Sequence, residues 1–199
     1  MIVFSPKRIA RNFMPAYTVE DYAKGDLRAK LVSRLNQGRS NEIIQEYDQG
    51  PNVFPKDDRV LNSLAWANLM EGNIERARAL TEYAISRFGI TKQARHQAMA
   101  MNNRAAVAFR LEGFPAANAL LRNACAVDPE CMSAWSNTMN YASKLQHLAA
   151  LESSVSQFLS SMVNWHHDAR YIYWLRNESD LAWARSQKCF APLMARLNR

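Results

Sequence analysis

The chain has 199 residues, 48% hydrophobic and 22% charged, with a formal net charge of +7. This is enough apolar material to bury a sizeable core in one domain or one short solenoid. No stretch approaches the roughly 20 apolar residues that cross a bilayer, which excludes a membrane-spanning helix and predicts a soluble protein.

At the N-terminus, Ile2-Val3-Phe4 is too short for the apolar core of a secretory signal, and Lys7, Arg8 and Arg11 follow it where such a signal has them in front. The lack of any acid before Glu20 leaves an organellar transit peptide as the alternative. Residues 1–23 are read as an N-terminal arm. Only six glycines and seven prolines punctuate the chain, and no alternating β-branched run persists, so helix is expected throughout.

Leu27, Leu31 and Leu35 lead to Gly38, with Ile43, Tyr47 and Gly50 after it. Leu61, Leu64, Ala65 and Leu69 lead to Gly72, 34 residues on, and Ile74, Ala77, Leu80 and Ala84 follow on one helical face. A helix over Thr91–Leu111 then carries Ala105, Ala106 and Phe109 before Gly113, which lies 41 residues after Gly72. Ala117, Leu120, Leu121 and Ala124 continue to Asp128-Pro129, where proline stops the helix. A further copy runs from Ala134-Trp135 through Met139, Ala142 and Leu145. In it Gln146-His147 replaces the turn glycine, and Leu151 and Phe158 replace small residues, which predicts helices forced apart.

The large residue, small residue and turn glycine at a 34-residue step resemble the tetratricopeptide repeat (TPR) family, most clearly over residues 61–129 and more weakly over 24–60 and 130–160. Terminal copies of such arrays are commonly atypical. The seven extra residues before Gly113 are about two helical turns, so they can lengthen the Thr91–Leu111 helix and nearly keep its buried face. The resemblance implies an all-α fold, a short right-handed superhelix of about three to four helix pairs over 24–160. Residues 161–199 would form aromatic capping helices. An irregular helical domain whose alanine-rich helix pairs mimic a repeat is the alternative.

In this family the first helix of each pair lines a concave groove. The resemblance places Arg59, Asn62, Trp66 and Met70 there from an Asp58–Glu71 helix, Asn103, Arg104, Val107 and Arg110 from the next, and Asn137, Asn140 and Lys144 from a Ser133–Lys144 helix. No acid falls in this set. Asn suits a peptide backbone and Arg a carboxylate, so the expected partner is a protein segment, a peptide or helix of acidic character. A solvated helix face is the bland reading of the same residues. Family analogy adds a lean toward a bacterial secretion or pilus assembly accessory, a chaperone-like adaptor.

The only acid between Tyr83 and Val127 is Glu112, against Arg87, Lys92, Arg95, Arg104, Arg110 and Arg122. A nucleic-acid-binding repeat using this basic 83–127 segment is therefore the second functional reading. Cys125, Cys131 and Cys189 form no CxxC pair and suit a reducing cytoplasm. His166, His167 and Asp168 are adjacent, pointing about 100° apart on a helix, so they make no metal motif. No phosphate loop, dinucleotide fingerprint, nucleophile elbow or HExxH pair occurs, and neither catalysis nor a cofactor is expected. Trp165, Tyr171, Tyr173, Trp174 and Trp183 crowd the C-terminal region, either as a cap on the last repeat or as a docking surface.

Overall fold

The computed structural model describes residues 26–161 and 169–197. The predicted arm and the His166, His167 and Asp168 group lie outside them. Within the described residues the chain is all-helical: α1 (Leu27–Asn36), α2 (Ser40–Tyr47), α3 (Asp58–Met70), α4 (Ile74–Ile90), α5 (Ala94–Leu111), α6 (Phe114–Val127), α7 (Met132–Lys144), α8 (Leu148–Ser161), α9 (Ala169–Asn177), α10 (Ala182–Arg185) and α11 (Ala191–Leu197). Two 3₁₀ turns, Ser179–Leu181 and Lys188–Phe190, interrupt the last part. From α1 to α8 each helix packs on the next, and α1, α3, α5 and α7 also pack each on its odd-numbered neighbour.

The turns explain this regularity. Gly38, Gly72 and Gly113 have φ of 75°, 85° and 88°, a left-handed conformation that glycine adopts without steric cost. Gln146 stands at the corresponding place after α7 and takes the same conformation, with φ of 52°. The closing bonds match as well. Arg39, Asn73 and His147 donate their backbone N–H groups to Arg34, Asn68 and Ala142 carbonyls at 2.9, 2.9 and 2.8 Å. At Gly113 the glycine's own N–H reaches the Ala108 carbonyl at 2.9 Å. Accordingly α6 starts at the very next residue, whereas α2, α4 and α8 start two residues after their turn residue.

The expected helix over Thr91–Leu111 begins only at Ala94. Lys92 turns the chain with φ of 54°, and Gln93 N–H closes α4 on the Phe88 carbonyl at 2.9 Å. The extra length before Gly113 is therefore shared. α4 has 17 residues against 14 in α6 and α8, and α5 has 18 against 13 in α3 and α7.

Two apolar clusters meet at α5. Ala100, Ala106 and Val107 join the cluster built on α1 to α4, around Leu31, Leu64, Leu80 and Phe88. Ala98, Ala105 and Ala108 join the one built on α6 to α11. In that second cluster Leu151 and Phe158 are fully buried. Phe158 meets Trp135 edge-on at 5.6 Å and Tyr171 at 5.5 Å, so aromatic packing takes up the large side chains. Tyr171, Trp174, Leu181, Phe190 and Leu193 are also buried, and the elements after residue 177 pack on α7 and α8. At the other end, Arg76 holds the segment after α2: it donates to Asp48, at 2.7 to 3.2 Å, and to the Pro51 and Val53 carbonyls. Burial works against the Asp48 charge, but bonds from Arg76, the Gly50 N–H and Asn68 outweigh it and hold the carboxyl below its usual range.

Candidate functional site

The amide and hydroxyl side chains of α3, α5 and α7 tie the odd-numbered helices together. Asn62 Nδ2 donates to the His96 carbonyl at 3.0 Å, and Asn103 Nδ2 donates to the Asn62 carbonyl at 3.2 Å. Arg110 Nη1 donates to the Leu69 carbonyl at 3.1 Å, and Asn137 Nδ2 to Asn102 Oδ1 at 2.7 Å. Trp174 Nε1 reaches Asn140 Oδ1 at 3.4 Å, and Ala184 N–H reaches Ser143 Oγ at 3.2 Å. The partners are 34, 41, 41, 35, 34 and 41 residues apart. The first five bonds thus join successive odd helices, and the sixth ties α10 to α7.

These bonds fix how α5 is rotated. At about 100° per residue, Asn102 points toward α7 and Asn103 toward α3. Arg104, a further step round, bonds Glu82 of α4 at 3.1 Å and Glu112 at 2.7 Å. The arc between Asn102 and Asn103 therefore faces away from α4, and it contains Arg95, Met99, Ala106 and Arg110. Arg95 and Arg110 are exposed, Met99 is half-buried, and Ala106 forms the floor. On α3 the matching arc holds Arg59, Trp66 and Met70, with Asn62 at its edge.

The residues expected to line the groove separate into two groups. Asn103, Arg104, Asn137 and Asn140 are buried and engaged in the interhelical bonds above, and Trp66 is 5% exposed. Arg104 is the clear correction, since its guanidinium is spent on two carboxylates behind the row and presents no fork outward. Val107 is likewise fully buried on the α3 and α4 side. Polarity marked these residues as surface, but Glu82, Glu112 and the facing amides pair with them inside, leaving Arg104 Nη1, Asn137 Oδ1 and Asn140 Nδ2 buried without a partner among the described residues. Arg59, Asn62, Arg110 and Lys144 keep some exposure.

No family model, curated protein or solved structure matches this chain. The outward arc must therefore be judged on its own chemistry. Arg59 is held by Asp57 at 2.7 Å and Lys144 by Asp180 at 2.6 Å. Arg95 and Arg110 have no carboxylate partner among the described residues, and Arg110 reaches only the Leu69 carbonyl. Two polar atoms on α3, Asn62 Oδ1 and Trp66 Nε1, are buried without a hydrogen-bond partner among the described residues. They stand one helical turn apart, an acceptor beside a donor.

Arg95 and Met99 were missed in the sequence. Their signal was present: Arg95 and Arg110 are 15 residues apart, within about 60° of one another on a helix. His96, next to Arg95, has its pKa lowered to about 4, first by burial and then by the positive charges of Arg28 and Arg95. Burial also pushes the Cys131 thiol up to about 11 and raises that of Cys125, which makes both poor nucleophiles. Among the described residues no group of three His, Cys, Asp or Glu could hold a metal ion, and no helix is long and apolar enough to cross a membrane.

Proposed function

We propose that the protein is a non-enzymatic scaffold of TPR-like helix pairs, wound as a short right-handed superhelix with a C-terminal helical cap. In this reading it acts as an adaptor in complex assembly, holding a segment of a partner protein on the outward arc of α3, α5 and α7. The observation that supports the reading best is the row of side-chain bonds at steps of 34 to 41 residues. It locks successive odd helices in register and leaves one shared arc turned away from the even helices, with Arg95 and Arg110 on it lacking a carboxylate partner among the described residues. A face held rigid in this way loses little entropy when a partner docks.

The competing reading, a nucleic-acid-binding repeat, draws on the same cations. It is the weaker one because Arg87 and Arg104 of the basic segment are already paired with Asp58, Glu82 and Glu112. The arc is also floored by Met99 and Ala106, with no exposed stacking ring on α3 or α5 beside them among the described residues. The test is quantitative affinity purification from native cells with the unaltered chain and an Arg95→Glu, Arg110→Glu double variant. A stoichiometric protein partner of the unaltered chain supports the scaffold reading. Its absence, with nucleic acid recovered instead, overturns it.

A further inference from the structure

The extra length of α4 and α5 lies at one end of the pair. α4 starts two residues after Gly72, as α8 does after Gln146, and α5 ends two residues before Gly113, as α7 does before Gln146. α4 has 17 residues against 14 in α8, and α5 has 18 against 13 in α7, so the surplus of both falls at their connection, residues 91–93. At about 1.5 Å per residue it carries this tip about one helical turn further than the corresponding ends of α6 and α7.

The tip is fastened from within. Phe88 is buried and its ring meets that of His96 at 5.4 Å, and Gln97 Nε2 donates to the Ile85 carbonyl at 3.3 Å. The N–H groups of Thr91, Lys92 and Gln93 donate to the Arg87, Gly89 and Phe88 carbonyls at 3.1, 3.2 and 2.9 Å. The main-chain donors of the connection are thus spent inside the tip. Ile90 takes no part in this packing. It is 74% exposed, the most exposed large apolar side chain among the described residues.

The charge around Ile90 has one sign. Residues 85–97 contain Arg87, Lys92 and Arg95 and no acid. Arg87 is held by Asp58 at 3.0 Å, whereas Lys92 and Arg95 are exposed and have no carboxylate partner among the described residues. Arg28 of α1 stands close by, since after burial it and Arg95 are what lower the His96 pKa. An apolar apex on a convex tip, ringed by cations and with its N–H groups already bonded, suits a yielding surface that has anionic charge in a plane and apolar material beneath it. An anionic bilayer has both. Nucleic acid would meet the cations and offer no apolar layer to Ile90.

We infer that the α4–α5 tip is a membrane-surface contact, in which Ile90 enters the headgroup boundary of an anionic bilayer and Lys92 and Arg95 meet lipid phosphates. Ile90 and Lys92 lie outside the outward arc, so this contact and the scaffold reading stand or fall separately.

The test is co-sedimentation of the full chain with vesicles of phosphatidylcholine alone and of phosphatidylcholine with one-third phosphatidylglycerol, at low and moderate salt. Binding to the anionic vesicles is expected to exceed that to the neutral ones by about tenfold or more at low salt. Ile90→Ser and Lys92→Glu should each weaken it about tenfold with unchanged melting temperature, and Ile90→Leu should bind as the unaltered chain does. Two controls separate the tip from general stickiness. Leu148→Ser removes another exposed apolar side chain, and Arg122→Glu makes the same change in net charge on α6. Each should weaken binding by about twofold at most.

Equal losses from Lys92→Glu and Arg122→Glu, or no loss from Ile90→Ser, reduce the attachment to net charge and overturn the inference. Failure to sediment with the anionic vesicles overturns it too. A labelled oligodeoxythymidylate that binds where the vesicles do not, and is released by Lys92→Glu, assigns the cations to nucleic acid instead.

Discussion

Replacing Arg104 by alanine distinguishes an arginine that holds the fold from one that is available to a ligand. The Arg104 side chain is 9% exposed and bonds Glu82 at 3.1 Å and Glu112 at 2.7 Å. Removing one partner of a fully buried ion pair costs about 3–5 kcal/mol, mostly because the other charge is stranded. Here the stranded carboxylates are 50% and 40% exposed and regain water, which brings the cost to about 2 kcal/mol. For a chain of this length that lowers the melting temperature by about 4–8 °C. Arg110→Ala removes a single bond from an exposed side chain to the Leu69 carbonyl, a loss of about 1 kcal/mol or less. Thermal unfolding followed by circular dichroism on both variants and the unaltered chain gives the comparison. If the two variants shift equally, or Arg110→Ala shifts more, the assignment of Arg104 to the interior and Arg110 to the outward face is refuted.

Gln146→Gly should stabilise the chain by about 0.5–1 kcal/mol in urea unfolding, because φ of 52° strains a residue with a Cβ. Stability should fall as the pH drops from 6.5 through about 4. His96 is held neutral when folded and binds a proton readily when unfolded, so its contribution is complete above 6.5 and lost on acidification. With solvent screening of the partly exposed ring the loss is about 1–2 kcal/mol, and His96→Gln should flatten that part of the pH profile of urea midpoints. In native protein at pH 8, iodoacetamide should label Cys125 and Cys131 far more slowly than in urea, since burial keeps both thiols protonated; mass spectrometry of the digest reads the difference.

Helix pairing was legible because it depends on turn chemistry and apolar spacing, both local. Gly38, Gly72 and Gly113 adopt the left-handed conformation that only glycine reaches without cost, and the early start of α6 follows from the one-residue shift at Gly113. Gln146 shows where local chemistry ran out: the tertiary packing of α7 on α8 imposes the same turn on a residue that does not favour it. Side-chain direction on α5 was harder to read. Asn103 and Arg104 are adjacent and polar, so the sequence offers no way to tell that one points to α3 and the other to Glu82, 22 residues earlier. Their partners are set by the packing of α4, α5 and α3. A shift of one position round the helix moved the outward arc from Arg104 and Val107 to Arg95 and Met99.

The position of α5 between the two apolar clusters bears on how the chain comes apart. Its fully buried contribution to either side is alanine and one valine, and its large side chains, Met99, Met101 and Phe109, pack against the α6 to α11 side. Large side chains thus fasten α5 to the α6 to α11 half and small ones to the α1 to α4 half, so cooperativity between the halves rests on α5 staying helical. A helix-breaking glycine at Ala105, at about 1 kcal/mol of intrinsic cost, should split a single unfolding transition into two, with the α1 to α4 half and the α6 to α11 half melting as separate units.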